Sequence, residues 1–377
     1  MIVGIPRESS NEEHRVALTP AGAHSLSKAG HTAIVQSDAG AGCGFTTESY
    51  REAGAAIAFS AEEVFARADL LVKVMPPTLQ ECHWIGENTY IISAVHLGSA
   101  NPEVHSALRA QRVIAVGLEL IEEEDHHLPV VKAMSEIAGT LIPQIAGRFL
   151  ETTHGGRGVM LGGVPGIPAA RILILGAGTA GSAAARVFAG YGASVTVMDE
   201  DLKRLRFIDT YLHKAVNTVL ATPYDIERFV TSADVVLGAV MVHGRKAPHV
   251  VTEYMVRKMR PGSVIIDMSI DQGGCVETSR PTTLSDPVFT KHGVTHYCVP
   301  NIPSSVARTG SHALNNVLLP FVEDIAENQS ASCRNSPALR RGVYLFSGHC
   351  THQGLASLLG WDYSSLDLLL ARSGSED

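Results

Sequence analysis

The sequence has no stretch approaching the roughly 20 uninterrupted apolar residues that a membrane span requires. Residues 1–6 lack a basic segment followed by an apolar one, so they do not resemble a secretory signal peptide. Basic runs are also missing, and the formal net charge is −8 at pH 7, which argues against nucleic acid as a partner. These absences predict a cytoplasmic protein that binds neither a membrane nor a nucleic acid.

Paired cysteines are missing as well. The six cysteines are scattered, with no CxxC spacing and no dense framework, so we expect thiols that are mostly buried in a reducing cytoplasm. Two histidine clusters, at residues 126–127 and 349–352, are the segments that suggest a metal site. The first lies in an acidic loop and the second near the C-terminus, away from the motifs described below. No metal is therefore predicted.

What the sequence does contain is a glycine-rich turn between an apolar strand and a helix. Residues 171–175 form the strand, and Gly176, Gly178 and Gly181 follow it with the spacing GxGxxG. Gly176 permits a tight turn, Gly178 lets the backbone approach a pyrophosphate, and Gly181 lets the helix pack closely on the sheet. A second strand follows the helix in the required order, which favours a dinucleotide site over a glycine-rich turn without a ligand.

An acidic residue ends that second strand. Asp199 stands 21 residues after Gly178, where its carboxylate can accept hydrogen bonds from a ribose 2′-hydroxyl and would repel a 2′-phosphate. The N–H groups at the helix start, near Thr179 and Ala180, would face the phosphates. Lys203 lies just beyond, and it either softens the exclusion of NADP or belongs to a solvated helix face. The pattern predicts a dinucleotide site that favours NAD over NADP.

Strand and helix signals alternate along almost the whole chain, which is typical of parallel sheets flanked by helices. A length of 377 residues favours two domains. We predict an α/β protein with two doubly wound Rossmann-like domains and a cleft between them. The dinucleotide domain, residues 132–301, is inserted centrally. Residues 1–131 are the first segment of a substrate domain, and residues 302–377 pack back on it.

Chemically active side chains follow several of the predicted strands. In open α/β sheets, ligands bind outside the carboxyl ends of the strands. Arg15, His96 and Asp271 follow such strands, and Lys73 interrupts an apolar one. Taken singly, each has a plain structural interpretation: a solvated charge for Arg15, a core histidine for His96, an edge-strand charge facing water for Lys73. Together they offer two cations for a carboxylate, an imidazole for proton transfer and a carboxylate.

Five sequence blocks carry a family resemblance. They are residues 3–8, 15–20, 155–166, 271–283 and 296–298. In these blocks the chain resembles NAD-dependent L-alanine dehydrogenase, whose superfamily also contains the soluble subunit of transhydrogenase. The resemblance is collinear over about residues 1–360. It implies reversible oxidative deamination of L-alanine to pyruvate and ammonia, and a homo-oligomer, hexameric in the family. It also places Ser135 and Asn301 on the nicotinamide side of the site.

The resemblance further implies roles for the four residues at strand ends. Arg15 and Lys73 match positions that hold the carboxylate and carbonyl side of the substrate. His96 matches the acid–base residue, and Asp271 matches the catalytic carboxylate. Hydride would pass from the substrate Cα to C4 of the nicotinamide, with no metal required.

The chain departs from the family pattern beside these positions. Residues 75–77 read Met-Pro-Pro where the family has Lys-Glu-Pro, and Ala94-Val95 stands before the histidine where the family usually has Tyr-Leu. Before the Met-Ser segment the family's proline is replaced by Ala133, which Lys132 precedes. Two explanations are open: the changes are neutral drift, or they remodel the pocket for another amino acid. Three functions therefore stand: alanine dehydrogenase, a related dehydrogenase for a different L-amino acid, and a non-enzymatic or transhydrogenase-like NAD-binding subunit.

Overall fold

The structure is a computed structural model that describes residues 1–96, 101–241 and 246–373. The chain divides into two compact units, and each has its own sheet. The first unit is Met1–Met134 with Pro303–Asp377, and the second is Ser135–Ile302. The boundaries expected from the sequence were 131/132 and 301/302. No helix in the described ranges combines the length and apolar character needed to cross a bilayer.

The described ranges contain strands and helices in alternation. The strands are β1 (Ile2–Ile5), β2 (Thr32–Gln36), β3 (Ala56–Ala58), β4 (Leu70–Val72), β5 (Tyr90–Ser93), β6 (Ile114–Gly117), β7 (Arg171–Leu175), β8 (Ser194–Asp199), β9 (Asn217–Leu220), β10 (Val235–Gly238), β11 (Val264–Asp267), β12 (Val288–Lys291), β13 (Val294–Tyr297), β14 (Val343–Phe346) and β15 (His349–Cys350). The helices are α1 (Pro20–Lys28), α2 (Thr47–Glu52), α3 (Ala61–Arg67), α4 (Leu79–Cys82), α5 (Pro102–Ala110), α6 (Pro129–Leu150), α7 (Thr179–Gly190), α8 (Leu202–Tyr211), α9 (Pro223–Ser232), α10 (Glu253–Lys258), α11 (Ala307–Asn328), α12 (Ser330–Asn335), α13 (Pro337–Gly342), α14 (Gln353–Leu359) and α15 (Leu366–Ser373). The predicted α/β class is confirmed.

The first unit has a sheet of eight strands in the order β15-β14-β6-β5-β4-β1-β2-β3. Strands β1 to β6 are mutually parallel, and β14 and β15 extend the sheet with antiparallel pairs. The strand order reverses between β1 and β4, so the loops that follow these two strands flank the topological switch point. This is the position at which open α/β sheets bind ligands.

The second unit has seven strands in the order β12-β13-β11-β10-β7-β8-β9. Six are parallel, as the sequence predicts, and β12 adds an antiparallel edge strand that the pattern did not indicate. The order reverses between β7 and β10. The glycine-rich turn follows β7 directly, so it lies at the switch point of its sheet.

Both sheets are covered on two faces, which explains their continuous apolar strands. In β4, Leu70 and Val72 join one buried cluster while Leu71, which points to the other side, joins a second cluster. In β7, Ile172 and Ile174 likewise pack on one face and Leu173 on the other. Because successive residues of a strand face opposite sides, a parallel strand buried on both faces needs apolar residues throughout.

Candidate active site

Two glycines of the turn after β7 are required by the surrounding backbone. Gly176 has a φ of 105°, and a Cβ built on it would lie 2.3 Å from the carbonyl oxygen of Ala239. A Cβ on Gly181 would lie 1.9 Å from the carbonyl oxygen of Gly176. No side chain fits at either distance. These two positions therefore shape the turn and the packing of α7, as the sequence predicts.

Gly178 is different, because the space beside it is open. Its backbone is extended, and a Cβ would have no heavy-atom neighbour within 4 Å. It is the N-cap of the 12-residue helix α7 and has no side chain with which to cap the helix. Thr179 and Ala180 begin the helix, and both are half-buried. An open space over a helix start whose N–H groups point outward fits a dinucleotide phosphate.

A matched pair of substitutions tests this difference between the glycines. Gly178→Ala is expected to leave the thermal unfolding temperature unchanged, because the space beside Gly178 is open. It is expected to weaken NADH binding at least about tenfold, because the added methyl group occupies the phosphate position. The loss of one charge-assisted hydrogen bond to the phosphate, worth about 1.5–3 kcal/mol, accounts for an effect of this size. Gly181→Ala is expected to lower the unfolding temperature itself. NADH fluorescence and thermal unfolding measure the two effects. Unchanged NADH affinity in Gly178→Ala would contradict the phosphate assignment.

Asp199 is held at the end of β8 by the glycine-rich turn. The side chain is 6% exposed, and its Oδ2 accepts a hydrogen bond from the N–H of Ala177 at 2.7 Å, while Oδ1 accepts one from the N–H of Asp201 at 2.8 Å. The cation beside it is Arg204, whose Nη1 lies 3.6 Å from Oδ2. Lys203 is exposed, and its backbone N–H donates to Asp201. The cation beside the Asp199 carboxylate is thus Arg204 rather than Lys203.

A second buried acid, Asp267, organises the loop that carries Asp271. Asp267 ends β11, is 1% exposed, and accepts hydrogen bonds from the N–H groups of Ser269 at 3.0 Å, Cys275 at 3.0 Å and Val276 at 3.1 Å. Asp271 is exposed on the short helical turn between these contacts. Sequence reasoning missed Asp267, although an acid that ends an apolar strand was the available signal.

The remaining positions predicted for the nicotinamide side lie in the second unit. Ser135 is half-buried in α6. Asn301 is half-buried and has a φ of 60°, a conformation that asparagine tolerates better than most residues. The second unit thus holds the glycine turn, Asp199, Asp271 and these two residues.

Arg15, in the first unit, is buried and locked by a neighbouring carboxylate. Its Nε and Nη2 donate to the two oxygens of Glu13 at 2.8 and 2.6 Å, and Nη1 lies 3.1 Å from the Sδ of Met134. Arg15 is 6% exposed, and Ser304 donates to Glu13 at 3.2 Å. The solvated-charge interpretation of Arg15 is therefore wrong. A bidentate pair of this kind fixes the plane of the guanidinium, and sequence reasoning missed Glu13.

Lys73 is enclosed by protein and is not exposed to water. It follows β4 in the middle of the sheet, is 0% exposed, and its Nζ donates to both oxygens of Glu81 at 2.9 and 3.0 Å. An oxygen of Glu8 lies 3.8 Å from the same Nζ. The interpretation of Lys73 as an exposed edge-strand charge is therefore wrong, because the ammonium is enclosed with two buried carboxylates. Its assignment as a substrate cation stays a prediction, and this geometry favours a positioning role instead.

The carboxylates around Lys73 also hold the loop that follows it. Glu8 accepts hydrogen bonds from the N–H groups of Val74 at 2.7 Å and Met75 at 3.3 Å. Glu81 accepts one from the N–H of Thr78 at 2.7 Å and completes a capping box at the start of α4. Burial raises the pKa of Glu8 to about 7, against the lowering effect of Lys73. The network therefore ties the backbone between residues 74 and 78.

The raised pKa of Glu8 predicts a pH effect on stability. A carboxyl group whose pKa is higher when folded contributes most below its unfolded pKa of 4.5, and that contribution is lost as the pH rises through about 7. The free energy of unfolding of the wild type, relative to Glu8→Gln, is therefore expected to fall between pH 5 and pH 8. Urea unfolding of both proteins across this range measures it. A constant difference would show that Glu8 titrates below this range.

His96 is exposed, so its interpretation as a core histidine is wrong. It has a φ of 51°, and its N–H donates to Oε1 of Glu119 at 2.7 Å, beside the N–H of Val95, which donates to the same carboxylate. A left-handed conformation at a histidine is uncommon and here is held by Glu119. His96 lines a pocket of about 360 Å³ together with Met75. His96 thus borders a ligand-sized space.

Metal-ligating groups gather at one place among the residues that the structure describes. Glu123, Asp125 and His127 offer ligand atoms within 4.8 Å of one another on an acidic surface loop. His127 Nδ1 lies 2.9 Å from a carboxylate oxygen of Glu123. Surface carboxylates form such groups without a metal, and we assign none.

Comparisons with known proteins cover almost the whole chain. Residues 4–138 match the family profile described as alanine dehydrogenase/PNT, N-terminal domain, and residues 143–353 match the profile for its C-terminal domain. The chain is 40% identical over 370 residues to alanine dehydrogenase from Staphylococcus haemolyticus, covering 97% of this chain and 98% of that protein. It is 40% identical over 372 residues to alanine dehydrogenase from Geobacillus stearothermophilus, covering 98% and 100%.

Solved structures show the same similarity. An L-alanine dehydrogenase superposes with a TM-score of 0.92 at 38% identity, covering 96% of this chain and 99% of that one. A transhydrogenase from Sinorhizobium meliloti superposes with a TM-score of 0.80 at 24% identity, covering 94% and 99%. The second match supports the fold alone.

Proposed function

The chain belongs to the alanine dehydrogenase/PNT family, and from this premise we propose that it catalyses the reversible NAD-dependent oxidative deamination of L-alanine to pyruvate and ammonia. The observation that carries the proposal is 40% identity to an alanine dehydrogenase over 97% of the chain. An exposed imidazole and a locked guanidinium in the first unit, and a dinucleotide turn in the second, agree with it. The transhydrogenase-like alternative has the support of the fold alone.

We propose NAD as the cofactor. The N-terminus of α7 beside Gly178 would hold the pyrophosphate, and Asp199 would hold the ribose hydroxyls. When bound, NAD supplies a hydride acceptor at C4 of its nicotinamide. Ser135, Asn301 and the exposed Lys203 stay proposed contacts on this side of the reaction.

Two residues are proposed to act on the substrate directly in the first unit. Arg15 holds the substrate carboxylate, because Glu13 fixes its guanidinium plane and leaves little side-chain freedom to lose on binding. His96 transfers protons. It takes the proton that the α-amino group releases as the Cα–H bond breaks, and it returns a proton in the reverse direction. Lys73 becomes a positioning residue, since it holds Glu81 and lies close to Glu8 behind the loop at residues 74–78.

Water then completes the deamination. Asp271, on the loop closed by Asp267, accepts the proton of the water that attacks the iminium carbon of the substrate. The resulting carbinolamine collapses to pyruvate, and ammonia leaves. We further propose that the protein is a cytoplasmic homo-oligomer, hexameric as its resemblance implies.

The direct test is the reverse reaction. NADH consumption at 340 nm with pyruvate and ammonium is expected to require both compounds and to stop when either is left out. NADH consumption with pyruvate alone would indicate a 2-hydroxy acid dehydrogenase. No consumption, with NADH binding confirmed by fluorescence, would contradict the proposed function.

Cofactor choice gives a separate prediction at Asp199. Asp199→Ala is expected to reduce the preference for NAD over NADP at least about tenfold, because it removes a charged acceptor worth about 1.5–3 kcal/mol and leaves Arg204 near the 2′ position. The ratio of kcat/KM for the two cofactors measures this. Glu200→Gln, an exposed neighbouring acid, is the matched control and is expected to keep the wild-type ratio. An unchanged ratio in Asp199→Ala would remove Asp199 from the ribose site.

A further inference from the structure

The pocket beside His96 is much larger than an alanine methyl group requires. Its volume is about 360 Å³, within the range of roughly 300–1,000 Å³ typical of small-molecule sites. The β4–α4 loop contributes Met75 to its wall, the start of α4 contributes Leu79, and α5 contributes Val104 and His105. All of these residues belong to the first unit. Because His96 is the proposed proton-transfer residue, the pocket begins where the reacting carbon would be held.

The wall of this pocket carries no formal charge among the residues that the structure describes. Its lining side chains are aliphatic, proline, hydroxyl, amide or imidazole groups. Lys73 lies just before this loop in sequence, but it is fully buried and paired with Glu81. A charged ligand group entering such a space would lose part of its hydration without gaining an opposite charge. The occupant that fits is therefore uncharged.

His105 lines this pocket and has a ring nitrogen for which the described residues supply no hydrogen-bond partner. The residue is 2% exposed, its ring meets that of Tyr344 edge-on at 5.8 Å, and the nitrogen without a partner in the described ranges is Nδ1. Burial lowers the pKa of His105, while the backbone of Val95 raises it through a hydrogen bond. The lowered pKa leaves the ring neutral near pH 7, so one of its two nitrogens is an acceptor, and we assign that role to Nδ1. Buried acceptors normally have a donor.

We propose, on the basis of the proposed function, that this pocket receives the side chain of the amino acid substrate. The enzyme then accepts uncharged L-amino acids longer than alanine. It favours those whose side chain ends in a hydroxyl or amide donor that reaches Nδ1 of His105. His105 is the specificity-determining residue in this assignment. The apolar part of the wall, which would contact the carbon atoms of the substrate side chain, consists of Met75, Leu79 and Val104.

A substrate series tests the apolar part of the proposal. Measured kcat/KM is expected to be sustained or to rise from L-alanine to L-2-aminobutyrate to L-norvaline, by up to about fourfold for each methylene buried, the equivalent of about 0.8 kcal/mol. L-ornithine and L-aspartate, which bring a charge, are expected to be at least tenfold poorer than L-norvaline. A steep fall at each added methylene would overturn the proposal, because it would show that the pocket does not receive the side chain.

A matched pair of substrates tests His105. L-homoserine and L-norvaline differ by a hydroxyl in place of a terminal methyl, so their ratio of kcat/KM reports the terminal hydrogen bond. The wild type is expected to favour homoserine at least threefold. His105→Phe, which keeps an aromatic ring against Tyr344, is expected to reverse this ratio. Ser106→Ala, an exposed neighbour on α5, is the control and is expected to keep it. The same ratio in His105→Phe as in the wild type would overturn the role of His105.

The outcomes separate this inference from the proposed function. Activity with L-alanine and none with the longer amino acids would leave the proposed function standing and overturn the inference. Absence of activity with every amino acid would contradict the proposed function itself. Loss of folding in His105→Phe would show in thermal unfolding, and the wild-type substrate series would then still decide the size and charge of the pocket.

Discussion

Lys73→Met is expected to lower the free energy of unfolding by about 3–5 kcal/mol, the usual effect of removing one partner of a buried ion pair. The ammonium is fully buried between Glu81, with both contacts at 2.9–3.0 Å, and Glu8 at 3.8 Å. Methionine has a similar length and leaves no large cavity, so the loss measures chiefly the buried carboxylate of Glu81, which is left without a cation, because Glu8, with a pKa of about 7, takes up a proton when Lys73 is removed. Chemical denaturation at pH 7 gives the free energy directly.

Two further variants make the Lys73 prediction specific. Lys73→Met with Glu81→Gln removes the ammonium and the carboxylate that it contacts, and it is expected to recover part of the lost stability. Lys132→Met changes an exposed lysine on α6 and is expected to alter stability by less than about 0.5 kcal/mol. The opposite finding, a Lys73→Met protein as stable as the wild type but with a much higher KM for L-alanine, would restore the interpretation of Lys73 as a substrate ligand.

His96→Asn is expected to lower kcat by about 10²- to 10⁴-fold, the usual contribution of a positioned acid–base residue. Asparagine is the informative replacement because it tolerates the left-handed conformation, with φ of 51°, that His96 adopts. The backbone N–H that donates to Glu119 is also kept. The loss can therefore be attributed to the imidazole rather than to a rearranged loop. Steady-state kinetics with saturating L-alanine and NAD measures it.

NADH binding provides the control for His96. The glycine turn and Asp199 belong to the second unit, whereas His96 belongs to the first, so the affinity for NADH is expected to stay within about twofold of the wild type, a change of about 0.4 kcal/mol. His83→Asn, at an exposed histidine beyond α4, is expected to leave kcat unchanged. A His96→Asn enzyme with wild-type kcat would remove His96 from the chemistry.

Local sequence was sufficient to predict the dinucleotide turn. The roles of Gly176 and Gly181 depend on neighbours within one strand–helix–strand unit, and the steric distances agree with the predicted reasons. The parallel strands could be predicted for the same reason, since their continuous apolar runs follow from burial on both faces. The edge strand β12 was missed because it is short and half-exposed, with little apolar pattern.

In the first unit, the roles of several residues could not be predicted from local sequence. The role of Lys73 depends on Glu8, which is brought beside it by the pairing of β1 with β4, and on Glu81 at the start of the next helix. Neither contact has a signature in a single sequence. The same holds for His105, because a histidine on the buried face of a short helix gives no sign of whether its ring nitrogens have partners. Sequence identified the residue types, and only tertiary contacts separated His96, which faces a pocket, from Lys73, which does not.

Whether this chain oxidises L-alanine is tested most directly by following the hydrogen that is transferred. Purified protein is incubated with NAD and L-alanine carrying deuterium at Cα, and the reduced cofactor is analysed by mass spectrometry. We expect reduced cofactor one mass unit heavier than that formed from unlabelled alanine, together with an equal amount of pyruvate. Reduced cofactor without deuterium, or no reduction at all by a protein that binds NADH, would contradict the claim that this chain is an L-alanine dehydrogenase.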